Sequence, residues 1–488
     1  MRFRFASVAA AAAFFFAPAA LANGRFPASN QVLFSPADPN TIWLRATYGI
    51  LPSTDNGASW AYICEDVMGL LSVGGSGYED PSIGLMANGN VIATDSRGIN
   101  LSTNAGCDWS CQGGMVAGGS FVDLAVFPSD ASKAVALEST SVVDPDSSTS
   151  NFLNQVFLTT DNGMTWNPVG PPIDPTVTVQ TLDVPNSDPT RIYVSGTRAF
   201  GTNKTAWLFM YTTASNQWSE QPISDFDNSM EDSIYIAAVD PNSADLVYLR
   251  TQGLATGGES RLFVTNNASS EAGAMFTTPA SGTFQTPAAT GSTIVGELLG
   301  FALSPDGSKV YLGTRESGVW MAPASTLVFT QTNSHIHTQC LATRGSELWA
   351  CSDAVSGFVA GVSTDDGMTF TDKLCSITGL TGLIACSDAG SATVGCSSMG
   401  NTAAVCPATL STVCQLDSLD YMCAPCGEDA GAEGGATEGP TKAPSKSSSC
   451  DLSAVGSAGG TAGAVASLVL TGLTLVRRRV RGRRRKPR

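Results

Sequence analysis

The sequence has little histidine, and little positive charge outside its two ends. His335 and His337 are the only histidines among 488 residues. Only 15 of the 26 lysines and arginines lie in residues 23–451, against all 42 acidic residues, so this part carries a formal net charge of −27. A surface this acidic repels phosphate backbones, which argues against nucleic acid as a partner. With only two neighbouring histidines, a Ser-His-Asp hydrolase is also hard to place.

Helical periodicity is missing from almost the whole chain, which indicates an all-β protein. At the start, residues 1–22 place Arg2 and Arg4 before an apolar run that ends in small residues, the pattern of a secretory signal peptide. Near the other end, residues 452–476 carry no charge and precede the basic tail 477–488. This pattern predicts a membrane-spanning segment. We therefore expect an exported protein displayed at the cell surface.

Cysteine is abundant, with 13 residues, and in an exported chain it predicts disulfides rather than a metal site. Apart from Cys450, five cysteines lie in residues 23–370 and seven in residues 371–426. Because both numbers are odd, complete pairing requires at least one bridge between the two regions. Cys340 and Cys351 are centred on a Gly-Ser pair, so a two-residue hairpin should place them within bonding distance.

One short phrase recurs along the chain. STDNGASW at residues 53–60 returns as STNAGCDW at 102–109, TTDNGMTW at 159–166 and STDDGMTF at 363–370. Its closing aromatic recurs about every fifty residues, at Trp60, Trp109, Trp166, Trp218, Phe276, Phe329 and Phe370. Each unit reads as four short antiparallel strands with Pro/Asp or Gly turns. Seven such units predict a seven-bladed β-propeller over residues 23–375.

The recurring phrase resembles the Asp-box, or BNR repeat, of sialidases, sortilin-type receptors, xyloglucan-cleaving enzymes and photosystem II assembly factors. The carboxylate can accept hydrogen bonds from turn amides, and the glycine supplies a positive φ. The aromatic packs into the sheet. We therefore predict structural roles for Asp55, Gly57, Trp60, Gly106, Trp109, Asp161, Gly163, Trp166, Asp365, Gly367 and Phe370. The motif marks a fold more than an activity.

The segments after the propeller predict a surface anchor. Residues 376–426 form a cysteine-rich segment, and residues 427–451 form a low-complexity linker that we expect to be disordered. Together with Cys450, the apolar segment and the arginine cluster, this tail resembles the C-terminal sorting tails of myxobacterial surface proteins (MYXO-CTERM type). That resemblance implies a surface-retained protein whose tail is cut near Cys450. A simple single-pass anchor is the alternative.

Strand alternation predicts that the recurring turns lie on one face of the propeller, and that the insertions in blades 3, 4 and 5 form long loops on the other. The candidate ligand-binding residues lie in or beside these insertions. They are Arg198, Phe200, Lys204, Trp207, Asp225, Asp227, Glu231 and Asp232. Trp207 could alternatively face the blade core as the first residue of a third strand.

Two metal hypotheses are weaker than their alternatives. The acidic residues of the segment 225–232 could hold calcium, but the glycine and the register of an EF-hand loop are missing, so a solvated loop is favoured. His335 and His337 would share one face of an extended segment, yet no carboxylate is close in sequence and a polar loop pair is favoured. We therefore predict no cofactor.

These patterns predict a monomeric, non-catalytic binding module for a protein or a glycan. The alternative is a secreted glycoside hydrolase of sialidase-like or xyloglucanase-like type. A sialidase needs three arginines that grip a carboxylate, usually on six blades, and a xyloglucanase usually pairs two propellers. Three guanidinium groups that converge at the central channel would favour the enzyme.

Overall fold

The structure is a computed structural model that describes residues 28–68, 80–143, 150–200, 203–254, 260–270, 296–386 and 406. The predictions for the signal peptide, the linker, the apolar segment and the basic tail lie outside these residues, as do Phe276 and most of the cysteine-rich segment. Among the described residues, no helix is long and apolar enough to cross a lipid bilayer.

The prediction of a seven-bladed, all-β propeller is confirmed. Blades 2 to 4 are four-stranded antiparallel sheets whose strands follow chain order, and in blade 1 the fourth strand joins the first three through an isolated antiparallel bridge between Ile50 and Ile63. Blade 1 contains β1 (Ser29–Phe34), β2 (Ile42–Ala46), β3 (Gly49–Ser53) and β4 (Trp60–Tyr62). Blade 2 contains β5 (Ser82–Leu85), β6 (Val91–Asp95), β7 (Gly98–Ser102) and β8 (Ser110–Cys111). Blade 3 contains β9 (Phe121–Val126), β10 (Ala134–Val143), β11 (Ser150–Thr159) and β12 (Asn167–Ile173). Blade 4 contains β13 (Val177–Asp183), β14 (Arg191–Phe200), β15 (Asn203–Thr212) and β16 (Gln217–Ile223).

The remaining blades continue the pattern. Blade 5 contains the described strands β17 (Glu231–Val239), β18 (Val247–Gly253) and β19 (Leu262–Thr265). Blade 6 contains β20 (Leu298–Leu303), β21 (Lys309–Thr314), β22 (Gly318–Pro323) and β23 (Thr330–Asn333). Blade 7 contains β24 (Cys340–Arg344), β25 (Glu347–Cys351), β26 (Ala360–Ser363) and β27 (Thr371–Leu374). Short 3-10 turns occupy Glu65–Met68, Gly114–Val116, Ala354–Ser356 and Ile377–Gly379.

The blades form a closed ring. The first strands of successive blades neighbour one another all the way round, and β24 of blade 7 returns to β1 of blade 1. Buried apolar clusters fill the seams between neighbouring blades, so the core is distributed around the ring. The largest fully buried side chains include Trp60, Trp109, Trp320 and Trp349. Each of these rings removes a large apolar area from water and so stabilises the packing between blades.

Two faces of the ring can be distinguished. The lower face carries the turns that join the first strand to the second and the third to the fourth, because Asn56 N donates to Asn40 O and Asn162 N donates to Ser132 O. The upper face carries the connections between the second and third strands and those between blades. The recurring turns therefore lie on the lower face.

Each recurring turn is closed by its own side chains. In the first copy, Ser53 Oγ accepts the N–H of Gly57 at 2.9 Å, and Asp55 Oδ1 accepts the N–H of Ser59 at 2.8 Å. Hydrogen bonds from Ser59 hold the pKa of Asp55 below its usual value. Asn56 and Gly57 have φ of 61° and 78°, so the chain needs two successive left-handed residues there.

The same turn geometry appears in three further copies. Gly106, Gly163 and Gly367 have φ of 90°, 87° and 84°. Asn104, Asp161 and Asp365 each accept the N–H four residues ahead at 2.8 to 2.9 Å. The indole N–H of Trp109 donates to Gly106 O, and that of Trp166 donates to Gly163 O. Phe370 packs at the edge of the apolar cluster between blades 6 and 7. The phrase is therefore a self-contained turn anchored to its blade.

Disulfides tie the segment after the propeller to the start of the ring. Cys64 bonds Cys406 and Cys107 bonds Cys386. These two bridges confirm the prediction that the two cysteine groups are linked. Beside them, β28 (Leu380–Leu383) pairs in parallel with β4 as an extra outer strand of blade 1. Within blade 7, Cys340 and Cys351 are register partners and are bonded, with a Cα–Cα distance of 4.8 Å.

Candidate functional site

The insertions of blades 3 and 4 extend strands. Strands β10 and β11 pair without interruption from Ala134 and Thr159 up to Val143 and Ser150, and β14 and β15 pair up to Phe200 and Asn203. The prediction of long loops is therefore wrong for these two blades. Valine, serine and threonine recur in these stretches, and cross-strand pairing satisfies backbone groups that a loop would leave open. Two hairpins thus project on the upper face.

Arg198 lies within the blade 4 hairpin and is 9% exposed. One of its terminal nitrogens lies 2.9 Å from Asp174 Oδ2 and 3.4 Å from Glu220 Oε2. Its guanidinium stacks on the Trp207 ring, 4.8 Å from the centroid. Trp207 is half-buried in the interior of β15 and packs at the edge of the cluster between blades 3 and 4. The structure brings these two predicted residues together, but their contacts leave little of Arg198 for a ligand.

Glu231 is fully buried and is part of a closed ion-pair network. Its carboxylate accepts two hydrogen bonds from Arg261, at 2.7 and 2.6 Å, and one from Thr251 Oγ1 at 2.7 Å. Asp227 N also donates to it at 2.8 Å. Arg261 additionally donates to the backbone oxygen of Asp225. This network fixes the segment before blade 5, and a buried bidentate pair of this kind is a structural anchor.

Of the remaining predicted ligand residues, the aspartates 225, 227 and 232 are exposed and Lys204 is partly exposed. Lys204 Nζ donates to Asp232 Oδ1 and to Asp232 O, both at 2.8 Å, and so links the blade 4 hairpin to blade 5. Asp227 Oδ1 accepts from Ser229, which lowers the pKa of Asp227. Phe200 is the last residue of β14, and its side chain lies outside the described part of the structure. The described residues contain no group of three metal-ligating side chains.

The two histidines have different surroundings. His337 Nδ1 lies 3.0 and 3.2 Å from the oxygens of Asp353, which is fully buried. Ser356 donates to the same carboxylate, and Arg315 lies 3.6 Å from it. Sequence reasoning missed this carboxylate because Asp353 is 16 residues away. His335 is exposed, and its backbone N–H donates to Asn333 Oδ1.

The arginines are spread around the ring. Five of the arginines in the described part form ion pairs, and they lie on four blades. Their partners are Asp188 and Asp245 for Arg191, Asp174 and Glu220 for Arg198, Glu231 for Arg261, Asp353 for Arg315, and Glu347 for Arg344. No carboxylate is shared by two of these arginines. Each of these five guanidinium groups is therefore engaged by a carboxylate within the molecule.

The exposed large apolar side chains on the upper face concentrate at blade 3. Val142 and Leu153 are 49% and 44% exposed on the blade 3 hairpin. Register pairs them with Asn151 and Thr140, so all four side chains share one sheet face. Thr140 Oγ1 accepts the N–H of Ser120 in the connection from blade 2, and that connection also carries Met115, 66% exposed. The sequence does not indicate this surface, because its pattern predicts a loop for residues 139–151.

The lower face carries one groove that the sequence did not indicate. Its cavity of about 510 Å³ lies between blades 6 and 7, and its lining includes Ser304, Asp306, Lys309, Tyr311, Glu347 and Asp366. Lys309 Nζ donates to both oxygens of Asp366, and Tyr311 OH donates to one of them. Hydrogen bonds from Lys309 and Tyr311 lower the pKa of Asp366. These contacts join the two blades, and they bind the charged groups of Lys309 and Asp366 to each other.

Comparison with known proteins gives structural likeness only. No family model matches the chain, and no curated protein sequence matches it. YCF48 from Cyanidioschyzon merolae is similar at 14% identity, covering 66% of this chain and 92% of that one, with a TM-score of 0.44. A GH74 enzyme from Niastella koreensis is similar at 13% identity, covering 71% and 66%, with a TM-score of 0.34. The GH74 xyloglucanase from Xanthomonas campestris is similar at 14%, covering 74% and 66%, with a TM-score of 0.36. These likenesses do not choose between a hydrolase and a binding protein.

Proposed function

We propose that this chain is a non-catalytic binding module, displayed outside the cell, that docks a protein on the upper face of blades 2 and 3. The observation that supports it is the exposed apolar face of the blade 3 hairpin, formed by Val142 and Leu153. The connection from blade 2, which is bonded to this hairpin through Ser120, adds the exposed Met115. Soluble proteins rarely expose apolar side chains in clusters without a partner. A strand hairpin also presents them on a rigid support.

The composition of this surface favours a protein over a glycan. The large apolar side chains that are exposed in the described residues are all aliphatic or methionine, and none is aromatic. Aromatic rings give the flat apolar surfaces that ring-shaped ligands stack on, whereas valine, leucine and methionine pack against the side chains of a protein. A protein partner with a complementary apolar patch therefore fits best.

The polar groups near this surface support binding without bond cleavage. Several charged side chains predicted as ligand residues form ion pairs within the molecule, as in the pairs Arg198–Asp174, Arg261–Glu231 and Lys204–Asp232. A catalytic carboxylate acts together with a second group on the other side of the substrate. The carboxylates of these three pairs are instead bound to arginine or lysine. A glycoside hydrolase is the alternative, and incubation of the purified chain with sialosides and β-glucan oligosaccharides tests it.

The docking surface is tested by a pair of matched substitutions. Leu153→Asp should abolish capture of the partner in a pull-down from surface-protein extracts, because a charge in a dry contact is costly. Met164→Asp changes a methionine that is 54% exposed on the lower face, and it should leave capture unchanged. Both variants should melt like the wild type because both sites are exposed. Equal capture by Leu153→Asp and wild type would refute the proposal.

Surface display is tested separately on intact cells. The signal-like start, the apolar segment 452–476 and the basic tail motivate this part of the proposal. Added protease should remove the propeller from intact cells while leaving cytoplasmic markers untouched. Complete protection of the propeller, released only by lysis, would contradict surface display.

A further inference from the structure

Arg250 is an arginine without an ion pair in a largely buried position. It lies on β18, near the upper end of the seam between blades 5 and 6, and it is only partly exposed. Its guanidinium stacks on the Tyr235 ring, 4.6 Å from the centroid. Within the described part of the chain it forms no hydrogen bond and no ion pair. Among these residues, the five N–H donors of this side chain therefore have no acceptor.

An unpaired guanidinium at such a place costs free energy. Burial lowers the pKa of Arg250, which means that its charged form is less stable there than in water. Other arginines near strand ends avoid this cost through carboxylates, as Arg198 does with Asp174 and Arg261 does with Glu231. Arg250 is only partly buried and makes no hydrogen bond within the described residues, so its donors can bind an anion that reaches them.

The residues around Arg250 add directed donors. Register places Tyr235 opposite Arg250 and Ser233 opposite Gln252, on one face of blade 5. Tyr235 OH donates to Gln252 Oε1 at 2.9 Å, and Ser233 Oγ donates to Tyr235 OH at 3.1 Å. Because the amide oxygen of Gln252 is held in this way, its NH₂ group is directed elsewhere, and within the described residues it has no acceptor. Two unpartnered donor groups thus lie two residues apart on the same strand face.

The charges nearby limit the kind of anion that would fit. Glu297 lies close enough to Arg250 to interact with it electrostatically, but no ion pair joins them in the described part. Burial raises the pKa of Glu297, and the charge of Glu316 raises it further. Two neighbouring carboxyl groups repel an ion with two charges more strongly than an ion with one. The formal charge of −27 over residues 23–451 acts in the same direction on polyanions.

We propose that Arg250 and Gln252 form a binding site for the carboxylate of a small, hydroxyl-rich monocarboxylate, such as a sugar acid. A planar guanidinium whose face rests on Tyr235 offers its edge to a planar, two-oxygen acceptor. The amide of Gln252 provides a further hydrogen bond to a ligand hydroxyl group. The ligand could be a free sugar acid or the terminal sugar acid of a glycan. The site stands apart from the blade 3 hairpin, so its failure would leave the proposed protein docking untouched.

Calorimetric titration of the full chain with glucuronate, glucose and inorganic phosphate tests the site. Glucuronate and glucose differ chiefly in the carboxylate, so glucuronate should bind and glucose should not. Phosphate should bind at least about tenfold more weakly than glucuronate because of its second charge. An oligosaccharide that ends in glucuronate distinguishes the two sources: tighter binding than the monosaccharide indicates a glycan end, and equal or weaker binding indicates the free acid.

Substitutions at Arg250 distinguish a ligand-binding role of this residue from a purely structural role. Arg250→Met should weaken glucuronate binding by about a hundredfold, whereas Arg250→Lys, which keeps the charge but loses the two-pronged geometry, should weaken it about tenfold. Lys133→Met removes an equal charge from an exposed pair with Asp130 and should change neither binding nor melting.

Melting of the ligand-free variants gives a second readout. Because the unpaired charge is removed, Arg250→Met without ligand should melt at the same temperature as the wild type or higher. Binding of glucose as tight as that of glucuronate, unchanged binding in Arg250→Met, or a lower melting temperature of the ligand-free Arg250→Met chain would each overturn the proposal.

Discussion

Blades 1 and 2 are tied covalently to the segment that follows blade 7, whereas blades 3 to 5 are tied to one another by side chains of their inner strands. The covalent sector, blades 1 and 2, carries the bridges Cys64–Cys406 and Cys107–Cys386. In the hairpin sector, blades 3 to 5, Asp123 accepts the backbone N–H of Leu182 and Asp183 accepts that of Val239. The disulfides and the hydrogen bonds to aspartate side chains thus link different parts of the ring.

The difference reflects the order of the chain. The described strands of each blade are consecutive in the chain, except that β28 from beyond blade 7 is added to blade 1 beside β4. Neighbouring blades are joined by a direct chain connection everywhere except at the seam between blades 7 and 1. Trp60 Nε1 donates to Lys373 O across this seam, and Arg344 donates to Pro39 O and Asn56 Oδ1. The disulfides reinforce the side of the ring on which chain connectivity is missing.

The largest expected effect comes from opening the covalent sector. Replacing Cys64 and Cys406 by alanine removes a bridge between residues 342 apart in sequence, and it should cost about 4 kcal/mol of unfolding free energy. The matched control is the double alanine variant of Cys340 and Cys351, 11 residues apart, which should cost about 2–3 kcal/mol. Urea unfolding measures both. A smaller loss for the long-range bridge than for the short one would contradict a role in ring closure.

The second prediction compares one recurring turn from each sector. Asp55 accepts one hydrogen bond from Ser53 and two from Ser59, and Asp161 likewise accepts one from Thr159 and two from Thr165. Asp55→Ala and Asp161→Ala each remove these three bonds, and each should cost about 1–2 kcal/mol. Because the bonds are local to the turn, we expect the two substitutions to lower the unfolding free energy equally in the covalent and hairpin sectors. Losses that differ by more than about 1 kcal/mol would show that the turn acts through the neighbouring blade.

The sequence predicts these turns well because all their partners lie within seven residues. Gly106, Trp109 and Asp161 occupy the positions that the repeat assigns to them, with the φ values and bonds that the chemistry requires. The candidate site was harder to predict. Arg261 and Glu231 are 30 residues apart, and the partner of His337 is 16 residues away. No local pattern indicates such pairs, because strand register and blade packing bring them together.

A third prediction concerns the pH dependence of the hairpin sector. Burial raises the pKa of Asp123 to about 6 and that of Asp183 to about 6. Their pKa in the unfolded chain is lower, so the folded state binds their protons more tightly. The stability that these groups contribute is complete below about pH 4 and is lost as the pH rises through 6.

Asp123→Asn tests this linkage. An asparagine can still accept the N–H of Leu182 but cannot ionise, so the fall in melting temperature between pH 4 and 7 should become shallower. Asp130→Asn is the control, because Asp130 is exposed and hydrogen bonds from Ser132 and Lys133 lower its pKa to about 2. That variant should leave the slope between pH 4 and 7 unchanged. An unchanged slope in Asp123→Asn would show that its carboxylate is not the group that titrates.

The smallest effect is expected where the hairpin sector is joined only by a surface charge pair. Lys204 Nζ lies 2.8 Å from Asp232 Oδ1, but the two side chains are 32% and 51% exposed. Water and salt screen such pairs, so Lys204→Ala should change the unfolding free energy by less than about 1 kcal/mol, and the difference should vanish in high salt. Lys133→Ala breaks the similarly exposed pair with Asp130 within the first turn of blade 3 and provides the control. A loss above about 2 kcal/mol for Lys204→Ala alone would mean that the blade 4 hairpin depends on this contact, and the hairpin sector would then be held at its rim as well as at its inner strands.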